Sequence, residues 1–216
     1  MSGPIIVAGS GGYTADICEA AFLLDYEVIN LDLLGDSTLV GHKIITLKDV
    51  TDEIKKYPVI TSDFNYPENM SFPFNKQEIL NRRKLVDQVH SIGFENWISI
   101  IHPSAVISRS AIIGKNVFIN ANSTIASNTK IANDTLINRN VSVGHDVSIG
   151  SMCVIAPGTT ITSMVQIQDS VFIGAGATIL NSVNIGTKAT VAAGSVVTRN
   201  VGDSSLVMGS PAREKN

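Results

Sequence analysis

What this sequence has little of narrows it first. Only 16% of its residues are charged and 6% aromatic, with a single tryptophan, against about 25% charged residues in an average globular domain. The formal net charge is −3 and the pI about 5.8. A partner held by neutralising its phosphates, as nucleic acid is, finds no basic surplus here. Two cysteines, Cys18 and Cys153, are too few for a disulfide framework and fit a reducing compartment. No apolar run approaches the ~20 residues needed to cross a bilayer. The opening MSGPIIVAGSGG lacks the basic stretch of a secretory leader. The expectation is a cytoplasmic protein with no membrane insertion and no nucleic-acid partner. With 216 residues, 44% of them hydrophobic, the chain can bury a sizeable core and is too apolar to be disordered.

What is abundant is a repeat. From Ile107 to Val197 an Ile or Val falls at every sixth position without exception, and Ile101 extends the series backwards. Two residues before each aliphatic stands a small or β-branched residue, among them Ala105, Ser123, Thr135, Cys153, Val171 and Ser195. Gly or Asn often follows it, as at Gly114, Asn120, Gly150 and Gly174. A period of six matches no helix and no long strand. It matches short strands separated by bends, with two inward residues on each strand. Three such units close a triangular coil of 18 residues, and stacked coils bring equivalent positions within ~4.8 Å. Asn, Gly, Ser and Asp suit the corners, where unusual backbone angles are needed. A β-sandwich, whose loops vary in length, does not give so regular a series. Residues 103–200 hold only nine charged side chains, against 35 in the chain (16 basic and 19 acidic). Weakly charged flat faces are candidates for burial against copies of the same chain under cyclic symmetry.

The first hundred residues have no such period. Pro4–Ala8 reads as a buried strand, followed by Gly9-Ser10-Gly11-Gly12. Thr14 is placed to cap a helix over Ala15–Leu24. Val28–Leu31 is a second strand ending at Asp32, Lys48–Lys56 a short helix and Val59–Thr61 a third strand. Residues 64–75 read as a loop. Lys76–Ser91 reads as a helix with Ile79, Leu80, Val86 and Val89 inward and Gly93 as its stop. Strands alternating with helices imply a small Rossmann-like parallel sheet. A glycine-rich turn between a first strand and a helix holds phosphates on backbone N–H groups, or simply makes a tight turn. Asp32 stands where a polar ligand group is read in such sheets, or is an ordinary loop carboxylate. The domain boundaries expected are 1–101 for the α/β unit, 102–200 for the β-helix and 201–216 for a tail.

The repeat resembles that of the hexapeptide-repeat acyltransferases, and from that resemblance comes the expectation of a left-handed coil. The whole chain resembles the NeuD/PglD-type sugar acyltransferases. The matching segments are GSGGYT (9–14), Leu31-Asp32, NRRK (81–84), HPSAVIS (102–108), INRNVSVGHDVSIG (137–150) and GSPAR (209–213). The resemblance implies a homotrimer using acetyl-CoA and no metal. It implies N-acetylation of the amine of a nucleotide-linked amino sugar, of the 4-amino-4,6-dideoxyhexose type, for bacterial surface glycans. O-acetylation of a sialic-acid-type sugar is the alternative within the same layout, and a non-catalytic β-helix scaffold the alternative outside enzymes. It also implies a sugar-nucleotide site at Gly11, Gly12, Tyr13, Asp32, Leu33 and Asn138, the last of which otherwise reads as a corner asparagine in a tight bend. Ser163, Ala175 and Ala193 are implied for the cofactor, with the Ser163 N–H as a candidate donor to the thioester oxygen.

The resemblance, whose His-Asp motif is matched here, implies one residue as the base; without that context it would read as a lone surface histidine. After His102-Pro103 the repeat holds one histidine, His145, followed by Asp146. Acyl transfer from a thioester needs a base for the proton of the attacking amine or hydroxyl, and imidazole suits neutral pH. Lying two residues beyond inward Val143, His145 is expected at a corner, facing out of the column. One histidine cannot make the multi-histidine zinc site of a β-helix carbonic anhydrase. Cys153, at an inward small-residue position, is expected to be a buried core thiol.

Overall fold

The computed structural model describes residues 2–10, 12–33, 41–62 and 82–215. The chain divides into two units, Met1–Pro103 and Ser104–Asn216, so the boundary falls two residues beyond the expected one. The segment expected as a separate tail is part of the second unit.

Among its described residues the first unit carries a four-stranded sheet of β1 (Ser2–Ala8), β2 (Tyr26–Leu31), β3 (Lys43–Ile45) and β4 (Val59–Thr61). They are all parallel, in the order β3-β2-β1-β4. Ile5, Ile6, Val7 and Ala8 are fully buried, as a strand covered on both faces requires. Helix α1 (Thr14–Leu23) follows the glycine turn and buries Ile17, Ala20 and Ala21. Thr14 is its first residue and not its cap. Tyr13 holds the cap position without capping the helix through its side chain, and the Thr14 hydroxyl is engaged at 2.7 Å with that of Ser62, 48 residues away. Helix α2 (Arg82–Ile92) turns Leu85 and Val89 into the core, while Val86 is only half-buried. The expected inward residues Ile79 and Leu80, and the loop at 64–75, lie outside the described residues. Gly93, at φ 102°, ends the helix: its N–H reaches His90 O at 2.9 Å and the Phe94 N–H reaches Val89 O at 3.4 Å. The helix expected over Lys48–Lys56 is instead two short 3-10 turns, Leu47–Asp49 and Ile54–Lys56. Val50 between them is extended. The three-residue β3 went unforeseen in the sequence.

The second unit is the column. Two-residue strands pair in parallel with those 18 residues on: Ser142 with Thr160 and Val143 with Ile161, for example. One face runs from Val106–Ile107 to Val196–Val197, a second from Ile112–Ile113 to Asn184–Ile185. On the third, Thr190–Val191 is followed by Leu206–Gly209 in parallel and then Ala212–Glu214 antiparallel. The aliphatic ladder is buried from Ile119 to Val197. Ile107 and Ile113 are half-buried, because their strands stand at sheet edges.

The corners obey the same period. Every sixth residue from Asn116 to Gly194 has a φ between 55° and 70°. Asn, Asp or Gly occupies most of these left-handed positions, as steric preference dictates, while Met152, Met164 and Lys188 adopt the angle against theirs. The glycine after an aliphatic has a different cause. A Cβ on Gly144 would lie 2.8 Å from Thr162 C and 2.9 Å from Ser163 N. The next coil's corner presses on that spot and leaves room only for hydrogen.

Candidate active site

Gly144 brings the chain around a corner at which His145 and Asp146 both stand exposed. Asp146 takes the left-handed angle, φ 57°. That turn directs its carboxylate at the neighbouring ring, and His145 Nδ1 lies 2.7 Å from Asp146 Oδ2. A carboxylate only accepts, so Nδ1 carries a proton, and in the neutral ring the lone pair is then on Nε2. The other carboxylate oxygen, Oδ1, accepts the Asn128 amide at 3.1 Å from the coil below. These bonds, from His145 first and Asn128 second, hold the Asp146 carboxyl below the ordinary carboxylate range. Asn128 was missed in reading the sequence, although subtracting one coil from 146 points to it.

Stacking fixes the remaining neighbours. Met164 N–H donates to His145 O at 3.0 Å, so Ser163 stands one coil above His145. Its N–H donates to Asn181 Oδ1 at 3.3 Å. This is a cap the column uses elsewhere. The N–H groups of Lys115, Ser151 and Thr187 donate likewise to Asn133, Asp169 and Asp203. A thioester oxygen at Ser163 would therefore have to displace the Asn181 side chain. Asn138 is 2% exposed. Its Oδ1 accepts the Arg139 N–H at 2.8 Å, with Asn120 Nδ2 at 3.4 Å, so its carboxamide serves the bend.

Ala175 and Ala193 are exposed and stacked, with Gly194 N–H donating to Ala175 O at 2.8 Å. Counting by coils, they share an edge with Arg139 and Pro157, whereas His145 shares one with Ser127, Ser163 and Asn181. The dyad and the alanines therefore occupy different edges of the triangular column. The alanine edge is bare: a Cβ on Gly176 or Gly194 meets nothing within 4 Å. Ala193, one coil above Ala175, brings no side-chain acceptor to that corner. A chain of amides could lie against such a backbone.

In the first unit the strand order reverses between β1 and β4, where α/β sheets offer their ligand crevice. The Thr14–Ser62 bond and the glycine turn lie at that point. Gly9 N–H donates to Leu31 O at 3.0 Å, which sets the turn beside the end of β2. Asn30 Nδ2 donates to Val7 O at 2.9 Å and Gly9 O at 2.8 Å. Asp32 is 6% exposed, not an ordinary loop carboxylate. Gly12 is exposed with open space around it, Tyr13 is half-buried, and Leu33 packs against the apolar cluster of the sheet. Gly11 lies outside the described residues. Burial pushes the Cys153 thiol up to about 12, consistent with an inert core residue and not a nucleophile.

Two family models match the column: the bacterial transferase hexapeptide (six repeats) over residues 128–163, and the hexapeptide repeat of succinyl-transferase over 164–199. No curated protein matches the chain in sequence. Among solved structures, PerB from Caulobacter crescentus, in complex with CoA and GDP-perosamine, is 26% identical with a TM-score of 0.81. That match covers 100% of this chain and 99% of that one. The acetyltransferase domain of PglB from Neisseria gonorrhoeae, in complex with acetyl coenzyme A, is 24% identical over 98% of both chains, with a TM-score of 0.82. WeeI from Acinetobacter baumannii is 24% identical with a TM-score of 0.80, covering 99% of this chain and 100% of that one. The fold is a small α/β unit followed by a left-handed parallel β-helix, as expected from the sequence.

Proposed function

We propose that the chain, whose column matches hexapeptide-repeat transferase models over residues 128–199, is an acetyl-CoA-dependent N-acetyltransferase. Its acceptor is the amine of a nucleotide-linked amino sugar, of the 4-amino-4,6-dideoxyhexose type. The observation that carries the reading is the imidazole of His145, fixed through Nδ1 to Asp146 on an exposed edge of that column. The full-length likeness to PerB, a protein solved with CoA and GDP-perosamine, supports it.

In this reading His145 Nε2 takes the proton that the amine loses as its nitrogen bonds to the acetyl carbonyl carbon. The C–S bond opens, and the imidazole returns the proton to the departing thiolate. Asp146 keeps the ring oriented and stabilises the cation that forms in between. The Ser163 N–H, released by Asn181, faces the carbonyl oxygen as it gains charge. The bare Ala175–Ala193 edge receives the pantetheine arm. The glycine turn with Gly12 and Tyr13, together with buried Asp32, receives the nucleotide. Because the dyad and the alanines lie on different edges of one column, a complete site takes one edge from each of two protomers. A homotrimer of columns meets that requirement three times over.

CoA release, measured across nucleotide-linked 4-amino sugars and sialic-type acids, tests the reading. Turnover is expected with the former, and His145→Ala should lower kcat by about 10²–10⁴. Near-wild-type turnover in that variant removes His145 as the base, and turnover only with sialic-type acids replaces N- by O-acetylation. Light scattering at micromolar concentration should return three times the chain mass of 23.0 kDa, and a monomer would end the shared-site reading.

A further inference from the structure

The stacking that builds the corners also places a third side chain behind the dyad. Asp146 has both carboxylate oxygens engaged, Oδ2 by His145 Nδ1 at 2.7 Å and Oδ1 by Asn128 Nδ2 at 3.1 Å. With one oxygen held, a carboxylate still swings about its Cβ–Cγ bond. With both held, its plane is set, and so is the plane of the ring bonded to it. We propose that Asn128 is a positioning residue, which through Asp146 keeps the His145 ring in the Nδ1–H tautomer with Nε2 presented to the acceptor. The inference rests on His145 being the base.

The column contains its own control. Asn116 Nδ2 donates to Asp134 Oδ1 at 2.7 Å, one coil apart, in the same corner arrangement. The residue before Asp134 is Asn133, not a histidine. If the Asn-to-Asp step merely holds coils together, both pairs serve the same end. If it also aims an imidazole, only Asn128 bears on turnover. Both asparagines have a positive φ, 58° at Asn128 and 55° at Asn116. Replacement by glycine therefore deletes the side chain while keeping a residue that accepts the backbone angle.

The experiment compares Asn128→Gly, Asn116→Gly and His145→Ala in the full chain. The readouts are kcat and KM on the best acceptor of the panel, and the imidazole 15N spectrum at alkaline pH. The His145 signals are those missing from His145→Ala. Asn128→Gly is expected to lower kcat on the order of tenfold, leave the KM for acetyl-CoA unchanged, and convert a single Nδ1–H tautomer into a mixture. Asn116→Gly should leave both the tautomer and kcat at wild-type values, whatever it does to the melting temperature. Wild-type kcat and an unchanged His145 spectrum in Asn128→Gly overturn the inference, as do equal losses of kcat in the two glycine variants. His145→Ala separates the two readings. Undiminished turnover there removes the base itself, whereas an inactive His145→Ala beside a fully active Asn128→Gly removes only the role of Asn128.

Discussion

The two units bury their apolar residues under different constraints. In the column Ile155 lies between Ile137 and Ile173, each one coil away and locked in register by parallel pairing on both sides. In the α/β unit Leu85 comes from helix α2 and joins a cluster with Ile6, Leu31, Val59 and Phe94, residues far apart in sequence. A coil has no freedom to close a gap without breaking the register of its neighbours. A helix lying on a sheet can slide toward one. Truncating a large buried aliphatic side chain costs about 2–5 kcal/mol, the spread reflecting how far the surroundings collapse. Ile155→Ala, at 0% exposure, should therefore fall toward the upper end of that range, and Leu85→Ala, at 1%, toward the lower. Denaturant unfolding of both variants measures this. A larger loss at Leu85 would mean that the column gives more readily than its stacked geometry implies.

The same contrast explains what could be read from the sequence. Each hexapeptide repeats one local solution, so Ile or Val at every sixth position revealed the fold, and adding 18 to a residue number revealed its neighbour. His145 was placed at an exposed corner by its position two residues beyond inward Val143. In the α/β unit each contact occurs once and depends on partners that the local sequence does not announce. Thr14 has the chemistry of a helix cap, but its hydroxyl is claimed by Ser62 from the end of β4, and no window of a dozen residues contains both. The stretch around Lys48 has helix-forming residues. Thr46 and Asp49 close a tight turn there, and an extended Val50 follows. Even in the column the reading stopped short where a side chain serves the backbone. The Asn181 cap on Ser163 comes from carboxamide orientation, which periodicity does not encode. Asn128 was within reach of the arithmetic, since it lies one coil below a residue already singled out.

Polar capping divides along the same line, and it supplies the smallest effect. The column caps its corners from one coil to the next, as Asp169 Oδ1 does for the Ser151 N–H at 2.8 Å. One turn of the α/β unit is capped locally: Asp49 Oδ2 accepts the Thr46 N–H at 2.8 Å and the Thr46 hydroxyl at 2.9 Å. Those two bonds, aided by the charges of Lys43 and Lys48, hold the Asp49 carboxyl below its ordinary range. With the folded-state value lowered, the folded chain takes up this proton less readily than the unfolded one. The stabilisation is then complete above the unfolded value of about 3.9 and lost as the pH falls through the lower folded value. Asp49→Asn removes the titration and leaves a side chain that still accepts a bond. Its stability should change less than that of the wild type between about pH 7 and about pH 3. Because Asp49 is fully exposed, the difference should be much smaller than either truncation effect. Denaturant midpoints of the two proteins at both pH values measure it, and parallel losses would mean that Asp49 is uncapped in solution.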